Sequence, residues 1–214
     1  MRSDRLLRGM HKVFSHDLPN QMVVLQSLLQ FLDQDEYAHL SVEGREYLRR
    51  LQHATGRASE MVRFLKEMGR LNAFASKSET FALSLLGREL QGELQRRYPA
   101  LKFEFEWRWK VPTIVGDTRV YLQAILELCS GLMQGQGKAC RVSASCEQQG
   151  DAVELTFHLD EMSEAAALRW HPQTVDQRME IILAREWLAL CSAGVAVTFP
   201  ADGRVCFSIV GPNR

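Results

Sequence analysis

The apolar residues of this 214-residue chain change their period near residue 80, and that change limits what the chain can fold into. Up to about residue 71 they recur every three or four positions, the spacing of an amphipathic helix. Leu7, Met10, Phe14, Leu18, Leu25, Leu29 and Leu32 form one such stripe, from Asp4 to about Leu32. The polar stretch DQDEYAHLS (33–41) interrupts it. A second stripe, Leu48, Leu51, Thr55, Ala58, Val62, Leu65 and Met68, follows Ser41, whose hydroxyl suits a helix N-cap. Two long helices joined by a short loop predict an antiparallel hairpin. One hairpin buries little apolar area, so a second copy completing a four-helix bundle is expected, that is, a homodimer.

Beyond NAFASKSET (72–80), which reads as a linker, helical and alternating segments mix. Leu83 to Arg97 has helical spacing, and KFEFEW (102–107) alternates strictly, as a half-buried strand does. A helix is expected over 118–134. ACRVSASCE and AVELTFHL then form two strands around a QQGD turn. Val175 to Cys191 reads as a helix, and GVAVTF and RVCFSIV as a last hairpin around PADG. Strands clustered beside helices without regular alternation predict an α+β sandwich, with helices on one face of the sheet. The expected domains are 1–75, the helical hairpin, and 76–214, the sandwich.

Composition narrows the function. With 46% hydrophobic and 24% charged residues, the chain can bury a core without staples. The 26 basic and 26 acidic residues cancel, and short pairs such as Arg49-Arg50 or Arg96-Arg97 make no basic surface. A nucleic-acid partner is therefore not expected. The five cysteines are odd in number and form no CxxC pair, which argues against structural zinc and for buried thiols in a reducing compartment. The N-terminal MRSDRLLRGMHK lacks the apolar core of a signal peptide, and no apolar run approaches the roughly 20 residues of a membrane span. A cytoplasmic location without membrane insertion is expected.

The stretch FSHDLPNQM (14–22) carries the chemistry. At about 100° per residue, His16 lies roughly 200° from both Phe14 and Leu18, and so faces solvent. Asn20, four residues on, shares that face, and Asp17 is within reach of the ring. An exposed imidazole beside a carboxylate can attack phosphorus, with the carboxylate orienting the ring or taking its proton. Pro19 cannot donate to the Ser15 carbonyl, so a kink or a freed carbonyl is expected beside His16.

Phe14-Ser15-His16-Asp17-Leu18 resembles the H-box of the histidine kinase family, whose histidine is the phospho-acceptor. Asn20 stands where that family has the Thr or Asn used in dephosphorylating a partner. The family's proline follows that residue, whereas Pro19 precedes it. The resemblance extends through the second domain, which is similar to the family's ATP-binding domain. In VGDTRVYLQAILELCSGLMQ, Asp117, Gln123, Ile125, Leu126, Leu128 and Ser130 fit the framework of the N-box, but its two asparagine positions hold Glu127 and Gly131. Asp160 stands near the place of the adenine-gripping aspartate, with no glycine after it, and the lid segment HPQTVDQRMEIILAREW also has none. Glycines there allow backbone approach to phosphates.

A kept framework without its nucleotide loops resembles the dimeric histidine phosphotransferases that carry a degenerate ATPase-like domain. The resemblance implies a phosphorelay intermediate that needs no cofactor. His16 would accept and donate phosphate, Asp17 assist and Asn20 tune its loss. The partner would be a response regulator receiver domain, docked near Lys12, Val23 and Ser27. One alternative is a divergent sensor kinase fragment that binds Mg-ATP through Glu127 and Asp160. Another is a catalytically silent dimeric scaffold.

Overall fold

A computed structural model of the chain describes residues 13–133, 139–160, 178–198 and 205–212. It divides into two compact units, Met1–Phe74 and Ala75–Arg214.

The first unit is a helical hairpin. A single π-helical turn, Val13–Asp17, leads into α1 (Leu18–Phe31). A second π-turn, Leu32–Glu36, and a short 3₁₀ turn, Tyr37–His39, then reverse the chain into α2 (Val42–Ala73). Ser41 caps α2 as expected: its Oγ accepts from the Gly44 N–H at 3.0 Å. The helices run antiparallel, and Gln26 Nε2 on α1 donates to Ser59 Oγ on α2 at 3.1 Å. The first helix is therefore not one continuous α-helix from Asp4 to Leu32. Within the described residues it is an α-helix that begins at Leu18, with Pro19 in its first turn, where a missing N–H costs nothing. The irregularity expected beside His16 takes the form of the π-turn.

The stripes are only partly covered. Leu48, Val62 and Leu71 of α2 are buried, whereas α1 buries none of its residues. Val23, Val24, Leu25, Leu28 and Phe31 on α1, and Leu51 and Leu65 on α2, are exposed.

The second unit is an α+β sandwich. Its elements are β1 (Glu79–Ala82), α3 (Leu83–Arg97), β2 (Lys102–Trp109), β3 (Thr113–Gly116), α4 (Thr118–Met133), β4 (Ala139–Gln149), β5 (Ala152–Asp160), α5 (Met179–Ala189), β6 (Gly194–Thr198) and β7 (Val205–Pro212). Five strands form a mixed sheet in the order β2-β4-β5-β7-β6, in which only the β2–β4 pair is parallel. The register lines up Trp107, Ala144, Phe157 and Phe207 in one row across the sheet. Its other rows on that face hold Cys140, Val142, Cys146, Leu155, Val205 and Ile209, all buried. On β2 the rings of Phe103, Phe105, Trp107 and Trp109 stack at 5.4–5.7 Å, and Trp107 packs against Gly87 of α3. The opposite face presents Glu106, Ser143, Ser145, Thr156 and His158, so each strand's alternation separates core from solvent.

Two strands were not expected. β1 and β3 form a separate antiparallel ribbon, Glu79 opposite Gly116 and Ala82 opposite Thr113, which claims the end of the presumed linker and the segment before α4. The expected helical residues 175–177 and the PADG turn lie outside the described residues.

Candidate functional site

The π-turn that leads into α1 carries His16, with 70% of its side chain exposed. Its Nδ1 lies 2.9 Å from Asp17 Oδ1. An ionised carboxylate only accepts, so this bond puts a proton on Nδ1, and in the neutral imidazole the lone pair is then on Nε2. Nε2 points away from the neighbouring acid. Asn20 stands on the same face, with Nδ2 3.5 Å from Nε2, the outer limit of a hydrogen bond. The three residues that the sequence singles out on this helix are therefore together, exposed and in contact.

One turn along α1 a groove opens between the two helices. Pro19, Met22, Val23 and Gln26 form one wall and Ser59, Val62, Arg63 and Lys66 the other, around a volume of about 210 Å³. Of the three residues expected to meet a receiver, Val23 lines this groove and Ser27 is exposed, while Lys12 lies outside the described residues.

The helix α4 bears the residues expected at a nucleotide. Glu127 is 2% exposed, and Gln123 Nε2 donates to its Oε1 at 2.9 Å. Ser130 Oγ donates to the Glu127 carbonyl at 2.8 Å, and Gly131 is buried. Asp160 closes β5 opposite Arg141, and its side chain lies outside the described residues, as do the segments where the adenine loop and lid would run. Among the described residues no cluster of acidic, histidine or cysteine side chains could hold a metal ion.

One role was missed in the sequence. Asp117, placed in the N-box framework, is buried and grips the chain that enters this unit. Its Oδ2 accepts from the Lys77 N–H at 2.9 Å, and Arg119 reaches it through its backbone N–H and guanidinium at 2.6–3.0 Å. Burial raises its carboxyl, but the bonds from Arg119 and Lys77 outweigh that and hold it below the ordinary value. The Asp117 N–H donates to Cys191 Sγ at 3.3 Å, and Ser76 Oγ lies 3.7 Å from the same sulfur. The partners are 40 and 74 residues away in sequence, beyond any local motif.

Behind the clasp, Gly116 adopts φ +154°, and a Cβ there would come within 2.6 Å of the Tyr121 ring. The Tyr121 hydroxyl lies as close against Gly211, and the ring meets Phe81 edge-on at 5.5 Å. Burial pushes the Tyr121 phenol up to about 12.

By sequence the chain matches no family model and no curated protein. Solved structures are similar to it in fold. Acinetobacter baumannii histidine kinase AdeS aligns with a TM-score of 0.60 at 12% identity, over 94% of this chain and 98% of that one. Full-length ShkA, solved in complex with AMPPNP, gives 0.59 at 16% identity over 97% of this chain, which spans 45% of ShkA. The mycobacterial sensor histidine kinase MprB gives 0.51 at 17% identity, over 64% of this chain and 99% of its own. These likenesses establish the histidine kinase fold: a helical hairpin followed by a domain of the ATPase type.

Proposed function

We propose that this chain is a phosphorelay intermediate of two-component signalling, in which His16 Nε2 takes phosphate from a receiver domain's aspartyl phosphate and passes it on. The observation that carries the reading is the pairing of an exposed His16–Asp17 couple with an α4 whose N-box positions hold Glu127 and Gly131. As the Nε2–P bond forms and the aspartyl P–O bond breaks, the Nδ1 proton moves towards Asp17, which stabilises the imidazolium. Asn20, beside Nε2, is placed to orient the water that removes the phosphate. The receiver sits over the groove of Pro19, Met22 and Val23, with Arg63 and Lys66 at its rim.

A homodimer belongs to the same proposal. The uncovered Val24, Leu25, Leu28 and Phe31 on α1 suit a four-helix bundle with a second copy. A kinase reading, with Glu127 at Mg-ATP, draws on the likeness to ShkA, whose structure holds AMPPNP. It requires substitutes for the asparagines and glycines of the nucleotide loops.

The deciding experiment offers two donors, γ-labelled Mg-ATP and a panel of receiver domains preloaded with labelled acetyl phosphate, with His16→Ala as the control. Label from receivers alone, lost in His16→Ala, is expected. Label from Mg-ATP that depends on His16 would make the chain a kinase, and label from neither would leave a scaffold.

A further inference from the structure

The groove between α1 and α2 leads towards His16. Gln26 of one wall bonds to Ser59 of the other, and two antiparallel helices of equal rise keep that register along their length. It sets Lys66 level with Pro19, and both line the groove. One turn further, it sets Arg70 level with His16 to within about one residue, or about 1.5 Å. The π-turn that carries His16 also packs against α2. At about 100° per residue, Arg70 lies on the same strip of α2 as Ser59, Arg63 and Lys66, and so continues that wall.

Arg70 is held there. Glu67 is buried, and both of its carboxylate oxygens accept from Arg70 Nη1, at 3.0 and 2.9 Å. The guanidinium is half-exposed, and its Nε and Nη2 have no partner among the described residues. Those two nitrogens form one edge of the planar fork, which matches two oxygens of a phosphoryl group. The need for such a cation is local. A phosphoryl group in transfer spreads negative charge over three equatorial oxygens. Residues 13–20 hold no lysine or arginine to meet it, and Asp17 adds a negative charge beside the ring.

We propose that Arg70, held by Glu67, binds the oxygens of the phosphoryl group as it arrives at His16 Nε2 and is the cation of the transfer step. This rests on His16 being the phosphoryl acceptor. Glu67 is the positioning residue: it engages one guanidinium nitrogen and so aims the other two.

The test uses the full chain and phosphoramidate, a small donor that needs no docking. The Nε2–P bond forms as the donor's P–N bond breaks, ammonia leaves with the electron pair, and the Nδ1 proton shifts towards Asp17. Removing both charges together, in Glu67→Gln with Arg70→Gln, avoids stranding a buried carboxylate. That double variant is expected to label at least about tenfold more slowly than the parent, the loss of one donor to a charge that develops in transfer. Glu67→Gln alone keeps the cation and an acceptor for Nη1, and labels within about threefold of the parent. Glu67→Met with Arg70→Met, uncharged and similar in volume, gives the same loss and serves if the glutamine pair is poorly folded by circular dichroism. Parental rates in the double variant overturn the proposal, since Arg70 would then serve only to pair Glu67. So does a Glu67→Gln chain as slow as the double variant, which would trace the loss to the buried acid. A parent chain that phosphoramidate and receivers both fail to label overturns the functional reading itself, and this inference falls with it.

Discussion

His16 and Glu127 both stand on helices that the sequence associates with phosphate chemistry, and the two units treat them in opposite ways. In the hairpin, His16, Asp17 and Asn20 point outward, and among the described residues His16 meets Asp17 and Asn20. In the sandwich, Glu127 is buried against Gln123, and Asp117 is consumed in holding the entering chain. A polar group that already has protein partners in a low-dielectric setting is expensive to redirect towards a ligand. An exposed one is free to meet whatever arrives. Similarity to a motif therefore says less about present chemistry than where its side chains have been turned.

The comparison predicts which substitutions affect transfer and which affect folding. The largest effect is expected at the hairpin: His16→Ala loses all covalent phosphate while the thermal midpoint stays unchanged, and Asp17→Asn slows labelling about 100-fold, within the range for a proton-handling side chain. An Asp17→Asn chain that labels at the parental rate would remove the carboxylate from the mechanism. In the sandwich the order reverses. Asp117→Ala costs about 2–3 kcal/mol in urea unfolding, since the Lys77 N–H and the Arg119 backbone N–H lose their acceptor, and it leaves labelling of His16 intact.

That carboxylate also sets a pH dependence. Its folded-state pKa lies below the unfolded value of 3.8, so its stabilisation is present above that value and is lost as pH falls through the folded one. Comparing parent and Asp117→Asn by chemical unfolding at pH 6 and pH 3 measures it: the gap between them narrows at the lower pH.

Smaller again is Gly211→Ala, expected to cost about 1–3 kcal/mol because the new methyl meets the Tyr121 hydroxyl. Tyr121→Phe, which deletes that oxygen, should recover much of the loss, and a double-mutant cycle with no coupling would disprove the contact. The least effect is expected from Glu127→Gln, within about 1 kcal/mol in stability and without change in receiver-dependent labelling. A loss of labelling there would break the contrast between the units and favour the kinase reading.

The sequence made the long periodic segments legible. Ser41, the α3 span and the alternation of β2 came out as read, because each depends on neighbours within a turn or on a period of two. So did the contacts of His16 with Asp17 and Asn20, which are one and four residues apart. What failed was set by distance. The four-residue strands β1 and β3 are too short to show a period, and each exists because the other lies opposite. The clasp of Asp117 joins residues 77, 117 and 191, and no local pattern announces it. Pro19 was visible as an anomaly, but whether it would bend, break or widen the helix depended on the turn before it.

The same clasp gives the chain an intrinsic spectroscopic handle. Four of the five thiols are buried, and burial pushes Cys129 up to about 12 and Cys146 to about 11, which silences them towards electrophiles. Cys191 alone is half-exposed, and it touches both the Asp117 N–H and Ser76. A maleimide dye or spin label added to the unaltered protein would therefore attach beside the segment that enters the sandwich. It would report, without engineering, when that segment lets go.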